Sequence, residues 1–143
     1  MTSKEAAIAA WRAFATRDAA QICAVLAEDA EWRAPPRNAT AIALGVTDHM
    51  IGADAIARFL IDDYPRLFSN GMRVEPISLT AEGNRVIFEQ RQSATLANGC
   101  DYALDYVFIF EMHGARVRYI REYMDMKSGY DQVFGSAPAD RIA

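Results

Sequence analysis

The sequence predicts an α+β fold in which three N-terminal helices cover one face of a mainly antiparallel sheet. Three observations predict it. Apolar residues recur at helical spacing through the first part of the chain. Gly- and Asn-containing turns divide the second half into long runs with two-residue alternation. Three helices precede a meander of antiparallel strands, so the helices must lie together against it. The chain has 143 residues, which allows one domain. At that size folding takes roughly 68–70% of the unfolded surface out of water, enough for a core without disulfides or metal.

The elements follow in order. Thr2 with Glu5 fits a capping box. Ile8, Trp11, Phe14 and Ala15 then mark a helical stripe, and Asp18 a second N-cap before Ile22, Val25 and Leu26. A short strand runs from Ala30 to Ala34, carries Trp32 and stops at Pro35-Pro36. Positions 36 to 51 form a long connection whose Ile42, Leu44, Val46 and Met50 must pack on something. Gly52 opens a third helix with Ile56, Phe59, Leu60, Tyr64 and Leu67 on one side, and Pro65 should bend or stop it. After an Asn70-Gly71 turn come four strands, Arg73 to Thr80, Arg85 to Leu96, Asp101 to Met112 and Arg116 to Met126. Pro76 places the first near an edge or a bulge. Asn98-Gly99 marks a hairpin between the second and third. Residues 1–127 thus read as the domain and 128–143 as a loose C-terminal tail.

Composition excludes several functions. Apolar residues make up 52% and charged residues 24%, an ordinary globular balance. Lys plus Arg is 15 against 19 for Asp plus Glu, a net charge of −4 that repels phosphate backbones, so no nucleic-acid partner is expected. No apolar run approaches the roughly 20 residues of a membrane span. Charges at Lys4, Glu5 and Arg12 interrupt any signal-peptide core, and a cytoplasmic protein is expected. Cys23 and Cys100 stand alone and read as reduced thiols. With two isolated histidines, His49 and His113, no metal or other cofactor is expected.

Alternation assigns the strand faces. Tyr102, Leu104, Tyr106, Phe108 and Phe110 form a continuous aromatic face that should be covered. Val86, Phe88, Gln90 and Gln92 share a face of the second strand. Arg118, Ile120, Glu122, Met124 and Met126 share a face of the last.

These residues carry a resemblance. The run NGCDYALDYVFIFEMHGARVRYIREYMDM resembles the C-terminal hairpin of SnoaL-like and ketosteroid-isomerase-related proteins. LAEDAEWRAPP and IGADAIARFL resemble that family's acidic-aromatic-Pro strand and Gly-started third helix. The likeness spans most of positions 5 to 127. It implies the cone-shaped nuclear-transport-factor-like fold, with an apolar pocket between helices and curved sheet and a frequent homodimer. By the similarity to limonene epoxide hydrolase, Glu122, Gln90 and Gln92 face the pocket and Trp32 points into the cone. The expected pocket is Trp32, Phe88, Gln90, Gln92, Tyr102, Tyr106, Ile120, Glu122 and Met124, apolar with a few convergent polar groups.

Glu122 reads in two ways. A carboxylate in an apolar pocket loses hydration and becomes a usable acid or base. Alternatively, Arg118, Arg121 or a tyrosine holds it as a structural pair. Gln90 and Gln92 are candidates to orient a carbonyl or water, or to satisfy each other. Asp48 and His49 are either a loop acid–base pair or an exposed surface pair. The sequence departs from the resembled chemistries. Where the epoxide hydrolase pattern has an Arg and an Asp on the second strand and an Asp on the last, this chain has Gln90, Gln92 and Glu122. Where the isomerase pattern has an Asp before the Pro, this chain has Ala34. The resemblance therefore implies a pocket for a compact, apolar, oxygen-bearing ligand. The function is either cofactor-independent isomerase, cyclase or hydrolase chemistry at Glu122, or binding without catalysis. A third reading is a dimeric interaction module whose sheet back face, with Val107, Ile109, Tyr119 and Tyr123, meets a second copy.

Overall fold

The structure, a computed structural model, describes residues 1–135, with Asn70 described by its backbone alone. The architecture is the expected one, helices packed on one face of a curved six-stranded sheet. The helical half comprises α1 (Ser3–Thr16), α2 (Ala19–Ala24), α3 (Ala39–Leu44), α4 (Ala53–Arg58) and α5 (Tyr64–Leu67). The strands are β1 (Leu26–Arg33), β2 (His49–Ile51), β3 (Asn70–Glu82), β4 (Arg85–Thr95), β5 (Asp101–His113) and β6 (Arg116–Met124). A last helix, α6, covers Met126–Phe134. Sheet order is β2-β1-β6-β5-β4-β3, antiparallel throughout except for the parallel pair β1–β6. That pair joins the N-terminal half of the chain to the meander.

Both expected caps form. Thr2 Oγ1 accepts from the Glu5 N–H at 3.1 Å, and Asp18 Oδ1 from the Gln21 N–H at 2.9 Å. The buried face of α1 is narrower than the apolar stripe suggested. It consists of Ala6, Ala7, Ala10, Ala13 and Phe14, small side chains that bring the helix close to the sheet, while Ala15 is exposed. The second apolar run breaks after Ala24. Ile22 is buried in α2, but Leu26 already belongs to β1, which is longer than expected.

Three further expectations are corrected. The connection 36–51 contains a helix and a strand. Asn38, buried at 4% exposure, caps α3 by accepting from the Ala41 N–H, and β2 pairs with β1 at Trp32↔Met50. The Asn70-Gly71 pair belongs to β3, not to a turn. The segment after residue 127 is not loose as far as Phe134. Asp125 caps α6, which packs Val133 and Gly129 inward, and residues 136–143 of the expected tail lie outside the described residues.

Pro65 acts on the helix ahead of it. Proline has no N–H for the carbonyl one α-turn back and clashes with it. The chain widens into a π-helical stretch over Phe59–Asp63 between α4 and α5. On the far edge of the sheet, β3 carries Pro76 beside a register shift between Pro76 and Ser78. This edge and bulge placement is what the missing donor demands.

Candidate functional site

The concave face of the sheet and the helices enclose a cavity of about 600 Å³. Its floor comes from the inward side chains of β1, β4, β5 and β6. Cross-strand registers Phe88↔Phe108, Phe108↔Glu122, Gln90↔Tyr106 and Trp32↔Ile120 put these residues on one face. Helix α1 supplies Trp11, and the widened turn before Pro65 supplies Phe59 and Leu60, with Tyr64 following. Trp32 stands among Phe14, Phe59 and Phe108, with ring centroids 6.0 to 6.1 Å away. The exposed Arg12 and Arg17 also border the cavity.

Glu122 stands on the floor of the cavity among these aromatic rings, whereas the other acidic residue of the lining, Asp48, comes from the 36–51 connection. Its Oε1 accepts a 2.9 Å hydrogen bond from Trp32 Nε1. Neither Arg118, Arg121 nor a tyrosine of the described residues bonds to it. Arg118 instead meets Asp29 and Glu31, and Arg121 lies over the Tyr119 ring. Glu122 is half-buried and lines the cavity. Burial removes hydration from the charged form and pushes the carboxyl up to about 7, while the Trp32 bond pulls the other way. At neutral pH both protonation states are therefore populated.

The tyrosines near the cavity are neutral. The Tyr102 and Tyr106 hydroxyls bond each other. Burial pushes Tyr102 up to about 12 and also raises Tyr106 and Tyr64, so none of the three ionises near neutrality. Tyr106 faces the cavity, whereas Tyr102 faces a small side pocket against α6.

The expected pocket is thus partly redistributed. Trp32, Gln90, Gln92, Tyr106 and Glu122 line the cavity. Phe88 and Ile120 point to the same side but lie beneath the wall. Phe88 packs on Trp11 and Phe110, and Ile120 is fully buried. Tyr102 and Met124 line the side pocket. Arg118 leaves the face that alternation assigned to it. A bulge at Arg118 on β6, opposite the Glu111–Met112 step of β5, lets Val117 and Ile120 both point inward. Sequence reasoning missed Trp11, Tyr64, Phe68, Asp48 and the two arginines as cavity residues. The helical spacing of Trp11, Phe14 and Ala15 was a signal for the first. Asp48 and His49 are not a pair. Asp48 accepts from the Arg37 backbone, and His49 Nε2 lies 3.0 Å from Glu31. Among the described residues no three His, Cys, Asp or Glu side chains are grouped to hold a metal, and no helix is long and apolar enough to cross a membrane.

A family model described as SnoaL-like domain matches residues 7–120, and the chain belongs to that family. An NTF2-like protein of unknown function from Burkholderia pseudomallei is similar to it at 21% identity and TM-score 0.79, covering 94% of this chain and 99% of that one. TerC, co-crystallised with polyporic acid, is similar at 24% identity and TM-score 0.76, with 92% and 97% covered. An LEH-like epoxide hydrolase from M. tuberculosis is similar at 19% identity and TM-score 0.67, with 92% and 88% covered. These likenesses establish the fold. The search of curated proteins finds no match.

Proposed function

We propose that this chain binds a compact, largely apolar, oxygen-bearing molecule of terpenoid, polyketide or aromatic type. It acts on that molecule by cofactor-independent proton transfer, as an isomerase, cyclase or hydrolase. One observation carries the reading: a carboxyl poised near neutral pH stands in an aromatic cavity with an indole N–H as its partner. Such a group can give a proton to a reacting oxygen or take one from carbon or water. Tyr106 supplies a neutral hydroxyl, and Gln90 and Gln92 hold the reacting oxygen or a water. Phe88, Tyr102, Ile120 and Met124 act behind the wall. The co-crystallised polyporic acid of one neighbour and the epoxide hydrolase label of another support a small-molecule role.

The test is a panel of epoxides, enones and polyketide-like aromatics, with products followed by mass spectrometry. Glu122→Gln should lower turnover of any accepted compound by about 100-fold or more, the usual contribution of a positioned acid or base, with the fold unchanged by circular dichroism. Unaltered turnover removes Glu122 from the mechanism. A second reading, ligand binding without catalysis, draws on Gln90 and Gln92, whose amides are scarcely basic. Tight binding with no product across the panel selects it.

The proposal includes a homodimer through the back of the sheet. Tyr123 is 51% exposed and Ile87 37% there, with Val107, Ile109 and Tyr119 half-buried. Apolar side chains interleaved with Glu89, Glu111 and Arg121 on this face suit a self-complementary contact in which opposite charges pair across the two-fold axis. Light scattering after size exclusion should give twice the chain mass, and a clean monomer overturns it.

A further inference from the structure

Gln90 is held in one orientation by chemistry. Trp11 packs against Phe88, Phe108 and Phe110, and its Nε1 donates to Gln90 Oε1 at 2.9 Å. An indole nitrogen only donates, so the amide atom it meets must be the oxygen. The amide nitrogen is thereby turned away from Trp11. Gln90 is 3% exposed and sits on the cavity wall. Its Nε2 is buried and meets no protein acceptor, the one such buried side-chain atom among the described residues. A buried donor left without a partner carries its full desolvation penalty, and native structures seldom leave one so. Gln92, on the same face two residues along, has no such orphan atom.

We propose that the ligand carries a carbonyl oxygen that accepts from Gln90 Nε2, and that Trp11 is the positioning residue keeping the amide in its donating orientation. The inference rests on the small-molecule reading above and narrows it to ketones, enones, quinones or lactones. A carbonyl oxygen satisfies the amide without bringing a hydrogen that would itself need an acceptor. Gln90 thereby selects and orients the ligand, whereas Glu122 moves the proton.

Two probes of nearly one shape test this: 1-tetralone, with C=O, and 1-methylenetetralin, with C=CH₂ in its place. Binding is measured by calorimetry, and the infrared C=O stretch of bound 1-tetralone reports the hydrogen bond. The wild-type protein should bind the ketone about tenfold or more tightly over the hydrocarbon, with the stretch moved to lower frequency. Gln90→Leu should equalise the two affinities and abolish the displacement. Gln90→Met, closer in shape, serves if Gln90→Leu does not fold. Trp11→Phe should weaken the ketone more than the hydrocarbon, so that the ketone preference falls and the stretch shifts back, a split that a packing role, which weakens both probes alike, does not produce. Equal binding of both probes by the wild type, with an undisplaced stretch, overturns the inference and leaves the pocket reading standing. Binding of neither at millimolar concentration overturns both.

Discussion

At the scale of single residues, the indole of Trp32 controls how acidic Glu122 is. Its N–H bonds the carboxylate and so favours the charged form against the burial that opposes it. Trp32→Phe keeps a ring in the aromatic cluster and removes the donor. The Glu122 carboxyl should then titrate at higher pH than in the wild type. A hydrogen bond to a charged group contributes about 1.5–3 kcal/mol, so its proton should be held about tenfold more tightly or better. Carbon NMR of labelled glutamate, followed against pH, reads this directly, and an unmoved or lowered midpoint refutes it. The inward orientation of Glu122 was legible from the family resemblance of the last hairpin, with alternation supplying only the residues that share its face. Its partner was not, because Trp32 is 90 positions away in sequence and reaches it across the β1–β6 junction.

At the scale of elements, local signals were read well and interruptions poorly. Thr2 and Asp18 cap helices as their spacing indicates, and the Asn98-Gly99 hairpin closes between β4 and β5. Asn38 and Asp125 are equally good caps, but they stood in segments taken for loop and strand, where no long apolar period follows them. The bulge at Arg118 left no signature in composition, yet it shifts the face of every residue on one side of it. Helix α6 shows how a short element is fastened by one side chain. The Gln132 amide donates to Ala103 O at 2.9 Å and accepts from Ala103 N at 2.8 Å, standing in for a neighbouring strand. Gln132→Ala leaves both half-buried backbone groups without that partner. It should lower unfolding stability by about 1–2 kcal/mol, seen as an earlier urea midpoint with an unchanged slope. No displacement of the midpoint means that water replaces the amide at no cost.

At the scale of the whole molecule, one carboxyl in the cavity ties stability to pH. Glu122 is pushed up to about 7 in the folded state from an ordinary 4.5, because burial disfavours its charge. The folded protein therefore holds this proton more tightly than the unfolded chain does. The contribution is fully present below pH 4.5 and is lost as pH rises through 7. From those two values the loss approaches about 3 kcal/mol by pH 8, at 1.36 kcal/mol for each tenfold in proton affinity. Glu122→Gln carries no charge at either pH and still offers an oxygen to Trp32. Its urea-unfolding free energy should consequently lack this slope, and at pH 8 the variant should be more stable than the wild type. Filling the cavity with an apolar ligand strips further hydration from the carboxyl, so ligand binding should take up protons when measured near pH 7 in buffers of different ionisation enthalpy. The same desolvation that poises Glu122 for proton transfer then costs stability, the trade expected where a fold holds an unpaired acid for use. A variant whose stability follows pH in parallel with the wild type would place the charge penalty elsewhere in the chain.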